Sequence, residues 1–204
     1  LLVAIVLVVS ACKGISDAEQ RFNVGYTLQL DGELGKAIDK FDESIELDPA
    51  VAGTHFHRGS TFETMGLRKN AIEDYDEAIS LDPEFARAYG NRGRVYSALG
   101  QYQRALKDFN EAIRLEYQYV RGYHPDVVRT YYNRGVAYAR LGQHSRAIKD
   151  FDQVIERGPK FSEVFHHRGR SRDHLGQWER AIENYNTAIN LTPVAASVFI
   201  NRAA

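Results

Sequence analysis

His166, His167, Asp173 and His174 are the nearest this chain comes to a reactive constellation. His167 and His174 stand seven residues apart, two turns of one helix, whereas a helical zinc pair sits at i and i+4. They are read as surface or binding histidines, and no metal is expected. Carboxylates cluster as Asp39, Asp42 and Glu43, and the cluster recurs as Glu73, Asp76 and Glu77. A catalytic pair would not be copied from one stretch to the next, so the recurrence marks a solvated helix face. The sequence holds no nucleophile motif and no phosphate-cradling glycine loop, so neither catalysis nor a cofactor is expected. What can still do chemistry is one cysteine, Cys12, and rows of Asn, His and Arg at regular intervals. Such rows hold a ligand; they do not transform one.

The intervals define the elements that carry them. A glycine two residues after Asn or His recurs at Gly25, Gly59, Gly93, Gly135 and Gly169, in steps of 34, 34, 42 and 34 residues. A second glycine (Gly32, Gly66, Gly100, Gly142, Gly176), an alanine (Ala37, Ala71, Ala105, Ala147, Ala181) and an aromatic (Phe41, Tyr75, Phe109, Phe151, Tyr185) keep the same register. A period in this range means stacked helical hairpins. Ala71, Ile72, Tyr75, Ala78 and Ile79 form one apolar stripe at helical period, and the stripe recurs in later units. A glycine inside a helix costs roughly 1 kcal/mol against alanine, which is tolerated repeatedly only where backbones or rings approach closely. The second glycine stands where the first helix must turn back, as a left-handed C-terminal cap requires. Pro49, Pro83, Pro159 and Pro193 separate the units.

This pattern resembles the tetratricopeptide repeat family. The third unit matches it best, with Gly93, Tyr96, Ala105, Phe109 and Ala112 at the family's small and aromatic positions. The resemblance covers residues 18–204 and implies an all-α fold, an α-solenoid of antiparallel helix pairs wound into a right-handed superhelix. Five full repeats are expected at about 18–51, 52–85, 86–127, 128–161 and 162–195, with a partial sixth at 196–204. Departures are local: Leu28 and Arg172 replace an aromatic, and Ser44 and Val154 replace a small apolar residue. Where the family has leucine before the glycine, this chain has Arg58, Arg92, Arg134, Arg168 and Arg202. Each is expected to bury its stem and keep its charged head in solvent. The step of 42 residues comes from an insertion at 117–124 carrying Tyr117, Tyr119 and Tyr123. Either the helix there runs about two turns longer or a loop protrudes, and the tyrosines serve a contact or pack on the next hairpin.

The resemblance also implies that the first helix of each pair lines a binding groove. The residue two before the glycine then faces a ligand: Asn23, His57, Asn91, Asn133, His167 and Asn201. An amide gives and takes hydrogen bonds at once, so such a ladder suits the backbone of an extended peptide; the alternative is that these side chains bridge neighbouring helices. The same mapping places Phe22, Tyr26 and Phe56 at the amino-terminal end, and Arg87, Arg94, Arg129, Arg140 and Arg170 further along. An apolar anchor beside a cationic stretch fits a peptide with acidic residues or a terminal carboxylate. Surface pairing of these arginines with helix carboxylates is the bland alternative. Some family members clamp a terminal carboxylate with lysine and asparagine; Phe22 and Tyr26 stand at those places here, so that clamp is not expected.

Residues 1–9 are an unbroken apolar run, short of the roughly 20 that span a bilayer. They fit the centre of a signal peptide covering residues 1–11. Val9-Ser10-Ala11-Cys12 resembles the lipobox of bacterial lipoproteins, which implies a lipid on the Cys12 sulfur and a short linker over 12–17. Each buried methylene contributes about 0.8 kcal/mol, so two or three chains would anchor firmly. A plain signal peptide cut after Ala11 is the alternative. Lys13 after the cysteine resembles lipoproteins sorted to the outer membrane. The expected location is the bacterial cell envelope, facing the periplasm, at the outer membrane more than the inner. Ser16-Asp17-Ala18-Glu19 reads as a capping box that starts the first helix. The chain opens on Leu1 and stops in mid-helix, so both ends read as truncated.

With 26 basic and 27 acidic residues, and pI near 6.7, no nucleic-acid partner is expected. The leading expectation is a non-catalytic scaffold, a membrane-anchored lipoprotein holding a protein or peptide, acidic in character, in envelope assembly. A recruitment module of a larger enzyme is the rival reading, and self-association into a homo-oligomer is a third.

Overall fold

The computed structural model describes residues 15–119, 125–158 and 161–192, and every regular element there is an α-helix. The expected signal peptide, Cys12, Tyr123 and the partial unit with Arg202 and Asn201 lie outside these residues, as do the side chains of Tyr117 and Tyr119. Two compact units divide the chain after Glu84. The first holds α1 (Asp17–Leu30), α2 (Leu34–Leu47), α3 (Ala52–Thr64) and α4 (Arg68–Leu81). The second holds α5 (Ala86–Ala98), α6 (Tyr102–Tyr119), α7 (Pro125–Arg140), α8 (His144–Glu156), α9 (Ser162–Asp173) and α10 (Trp178–Leu191). Within each unit odd helices pair with the even helix that follows, and each even helix also packs on the next hairpin. That is the stacked-hairpin arrangement the repeat predicts.

Local chemistry explains the hairpins. Ser16 caps α1, its hydroxyl accepting the Glu19 amide at 3.1 Å. At the other end Gly32 takes φ 79°, a conformation that carries little penalty only for glycine. The Glu33 amide then donates to the Leu28 carbonyl and the Gly32 amide to Gln29, closing a Schellman turn. The same turn ends α3, α5, α7 and α9. Between paired helices the aromatic of the second presses on the glycine of the first. A Cβ built on Gly93 would lie 2.8 Å from the Phe109 ring, and alanine there would force the pair apart. Phe41, Tyr75, Phe109 and Phe151 are fully buried in this way. Ser44, a departure from the family pattern, is also buried and donates to the Ala18 carbonyl at 2.8 Å.

The insertion at 117–124 opens inside α6, and its residues 120–124 lie outside those described. α6 continues four residues past Leu115, about one turn, and α7 begins at Pro125, three residues before the expected start. Both flanking helices are therefore longer than the repeat requires.

The arginines before the glycines correct the sequence expectation. Their heads are not held in solvent but clamped over the second helix of the same hairpin. Arg58 donates from Nε and Nη2 to Asp74 at 2.9 and 2.6 Å. Arg92 binds Asp108 in the same way, and Arg134 binds Asp150 at 2.8 and 2.7 Å. All three carboxylates are buried. Arg168 instead meets a neutral partner, Asn184, at 2.7 Å. The remaining Nη1 reaches the preceding hairpin: Arg58 to Asp42 at 2.6 Å, Arg134 to Asn110 at 2.8 Å and Arg168 to Asp152 at 2.6 Å. In these three the planar fork ties one hairpin together and joins it to the one before, which a point-charge lysine could not do. The first hairpin has Val24 and Lys40 at these places and lacks the clamp. Asp42, read as part of a solvated face, is a half-exposed partner in this chain of pairs.

Candidate partner-binding surface

In the first unit, the face built by α1 and α3 is aromatic and carries little charge. Phe22 and Tyr26 lie nearly parallel with centroids 6.3 Å apart. His57 stands edge-on to both, at 5.4 and 5.0 Å, with Phe56 on its other side at 5.2 Å. Its Nδ1 lies 3.3 Å from Gln29 Oε1, which can only accept, so this nitrogen carries the proton. Gln29 in turn donates to the His57 carbonyl at 3.4 Å. Beneath this face His55 is buried, Nε2 against the Pro49 carbonyl at 3.0 Å and Nδ1 at 3.7 Å from Asp74. The Asp74 carboxylate raises the His55 pKa against the opposing effect of burial.

The second unit repeats the aromatic nest and surrounds it with cations. His167 takes the place of His57, with Tyr132, Phe151 and His166 at 5.8, 6.0 and 5.7 Å. Ala139 stands where Gln29 would be, so no amide reaches the ring. Burial, then His166, Arg170 and Arg140, hold the His167 pKa down to about 4, with Glu163 opposing them. Beside it, a pocket of about 200 Å³ opens between α7, α8 and α9, lined by Arg140, His144, Arg170, Ser171 and His174 among others. The His144 and His174 rings stack at 4.4 Å and 11°. Among the described residues no group of three or more His, Cys, Asp or Glu is placed to hold a metal, and no helix is long and apolar enough to cross a membrane.

Two family matches bear on this geometry. The tetratricopeptide repeat family matches residues 84–160, and again residues 52–85. The chain belongs to the tetratricopeptide repeat family. Solved tetratricopeptide-like structures share its fold at low identity. The MamA protein is 23% identical over 88% of this chain and 94% of its own, with a TM-score of 0.75. YrrB, described as a tetratricopeptide protein with an unusual peptide-binding site, is 22% identical over 92% and 93%, with a TM-score of 0.77. PilW, described as a widely conserved type IV pilus biogenesis factor, is 17% identical over 87% and 78%, with a TM-score of 0.74. No curated protein sequence matches the chain significantly.

On this tetratricopeptide scaffold the sequence-selected residues fall in unequal settings. Asn23 and Tyr26 are exposed, Phe22 and Asn133 are half-buried, and His57 and His167 sit in their nests. Phe56 and Asn91 are each only 6% exposed, so both pack inward and present little surface. Arg129 pairs with Asp126 at 3.1 Å one helical turn away, and Arg87 lies over the Phe85 ring. Arg94 is half-buried. Arg140 and Arg170 are exposed and share the pocket wall with His167. The sequence reading passed over His55, His144 and Ser171. His55 had a signal: it interrupts the series Tyr89, Tyr131 and Phe165 at equivalent places, where the ring lies under the clamped arginine.

Proposed function

We propose that this chain is a non-catalytic scaffold whose first-helix faces hold an extended segment of a protein partner bearing acidic residues. The observation that carries this reading is the pair Arg140 and Arg170. Both stand exposed on first helices of the second unit, and no carboxylate among the described residues lies within ion-pair distance of either. Cations held apart from acids on a repeat surface favour a negatively charged partner and speed its arrival. The aromatic face of the first unit supplies the apolar anchor for the same class of ligand. A lipid on Cys12 would hold the scaffold at the bacterial envelope, the outer membrane above the inner, where it would serve assembly. The pilus role in the description of PilW and the peptide site in that of YrrB are compatible with such work.

Cross-linked capture from native membranes tests the binding role. Reversing both charges, as Arg140→Glu with Arg170→Glu, is expected to abolish capture while leaving the helical content unchanged; undiminished capture would remove the groove assignment. Cys12→Ser is expected to release the full-length protein from membranes on fractionation, and retention of that variant would remove the lipid anchor.

A further inference from the structure

We infer that the pocket between α7, α8 and α9 is a site for a single carboxylate, and that the partner peptide supplies it. The source of the carboxylate rests on the proposed function; the site itself does not. Its base is Ser171, 1% exposed, whose hydroxyl has no hydrogen-bond partner. The Thr54 hydroxyl is also buried without a partner, but Ser171 departs from the habit of its own repeat position. Thr27 and Thr61 occupy the equivalent place in the first two hairpins, and each donates back to the carbonyl four residues earlier, Asn23 and His57. Such back-bonding is the ordinary fate of a helical hydroxyl. Ser171 leaves the bond unmade and lines the pocket instead. The His144 Nδ1 on the opposite wall is likewise buried and unpartnered. Buried polar atoms without partners call for an explanation, and a ligand supplies one.

The surrounding charge selects the kind of ligand. Arg140 from α7 and Arg170 from α9 flank the opening, His174 stacks on His144, and the pocket lining contains no carboxylate. Of the nearby acids, Glu163 acts on His167 and Asp173 on Tyr185 from outside the lining. A metal cation would be repelled by both guanidiniums, and an apolar group would leave Ser171 and His144 unsatisfied. A carboxylate answers both needs, since it accepts from the serine, the imidazoles and either arginine. At about 200 Å³ the pocket takes one such group with a few waters, each filling about 30 Å³. Burial with His174 and Arg170 lowers the His144 pKa, and burial with the neighbouring cations lowers that of His167. A carboxylate among them would oppose the part of those effects that the neighbouring charges supply.

The test uses the full chain and sodium glutarate, with histidine resonances followed by NMR against sodium chloride at equal ionic strength. Saturable shifts of the His144 and His174 signals are expected, with the His144 titration midpoint rising as glutarate binds. Arg170→Gln, an exposed position, should weaken binding roughly tenfold or more, as loss of a charge-assisted bond does. Ser171→Ala should weaken it without moving the helical signal. Shifts no larger than those with chloride, or equal shifts in Arg170→Gln, would overturn the site. Saturation by inorganic phosphate with no response to glutarate would overturn its assignment to a carboxylate. Partner capture that survives the loss of glutarate binding sinks this inference alone, whereas glutarate binding without any partner sinks the scaffold reading.

Discussion

His57 and His167 occupy the same place in the repeat and sit among the same kinds of ring, yet the two nests differ in charge. Around His57, Gln29 supplies an amide and the neighbours are Phe22, Tyr26 and Phe56. Around His167 the amide is replaced by Ala139, and His166, Arg140 and Arg170 crowd the ring. Repetition therefore fixes where a side chain stands, while the two or three residues that break the repeat decide what it does there. The units also oppose one another in mild acid. His55 in the first gains a proton on favourable terms beside Asp74, whereas His167 in the second resists one.

The largest expected effect probes the carboxylates that set this contrast. Asp150→Ala leaves Arg134 half-buried with only Asn110, and loss of one partner from a buried pair costs about 3–5 kcal/mol. Asp74→Ala removes the partner of Arg58 and of His55 together, so its loss should be the larger. Urea unfolding, with amide exchange resolved for each unit, measures both; equal losses would break the comparison.

Next in size is the acid response of the second unit. The His167 pKa is depressed in the folded state, so the unfolded chain binds the proton more readily. Stability is then full above the unfolded value near 6.5 and falls as pH drops toward about 4. At about 1.4 kcal/mol per unit, the loss approaches roughly 3 kcal/mol. His167→Phe should flatten that slope in amide exchange between pH 7 and 4, and an unchanged slope would assign it elsewhere. His55 has the opposite sign: its raised pKa stabilises the first unit below the unfolded value, and that contribution is lost as pH rises through the folded one. The smallest effect sharpens the contrast directly. Ala139→Gln should give His167 the amide that His57 has, contributing about 1 kcal/mol and raising the His167 midpoint by NMR. A midpoint that stays put would mean the cations alone govern it.

The fold was legible because its signals are local and repeated. Gly32 and its equivalents announce the turns, and Gly93 opposite Phe109 announces the packing. The arginine clamps were hidden by their spacing, since Arg58 and Asp74 lie on different helices sixteen residues apart. Arg92–Asp108 and Arg134–Asp150 repeat that interval, so the signal was present as a second periodicity running between helices. The pocket was legible only in part. Arg140, His167 and Arg170 stood at mapped positions, but the unmade bond of Ser171 depends on side-chain conformation and the His144–His174 stack on how two hairpins meet. At the insertion, propensity does not say how far α6 runs on, and the first three inserted residues continue that helix.

The central claim is that a partner lies along the first-helix faces. Photo-reactive residues placed singly at Tyr26, at His174 and at the second-helix residue Lys149 of the full-length protein would test it most directly in native membranes. The account predicts one shared adduct from Tyr26 and His174 and none from Lys149. An adduct confined to Lys149 would contradict it.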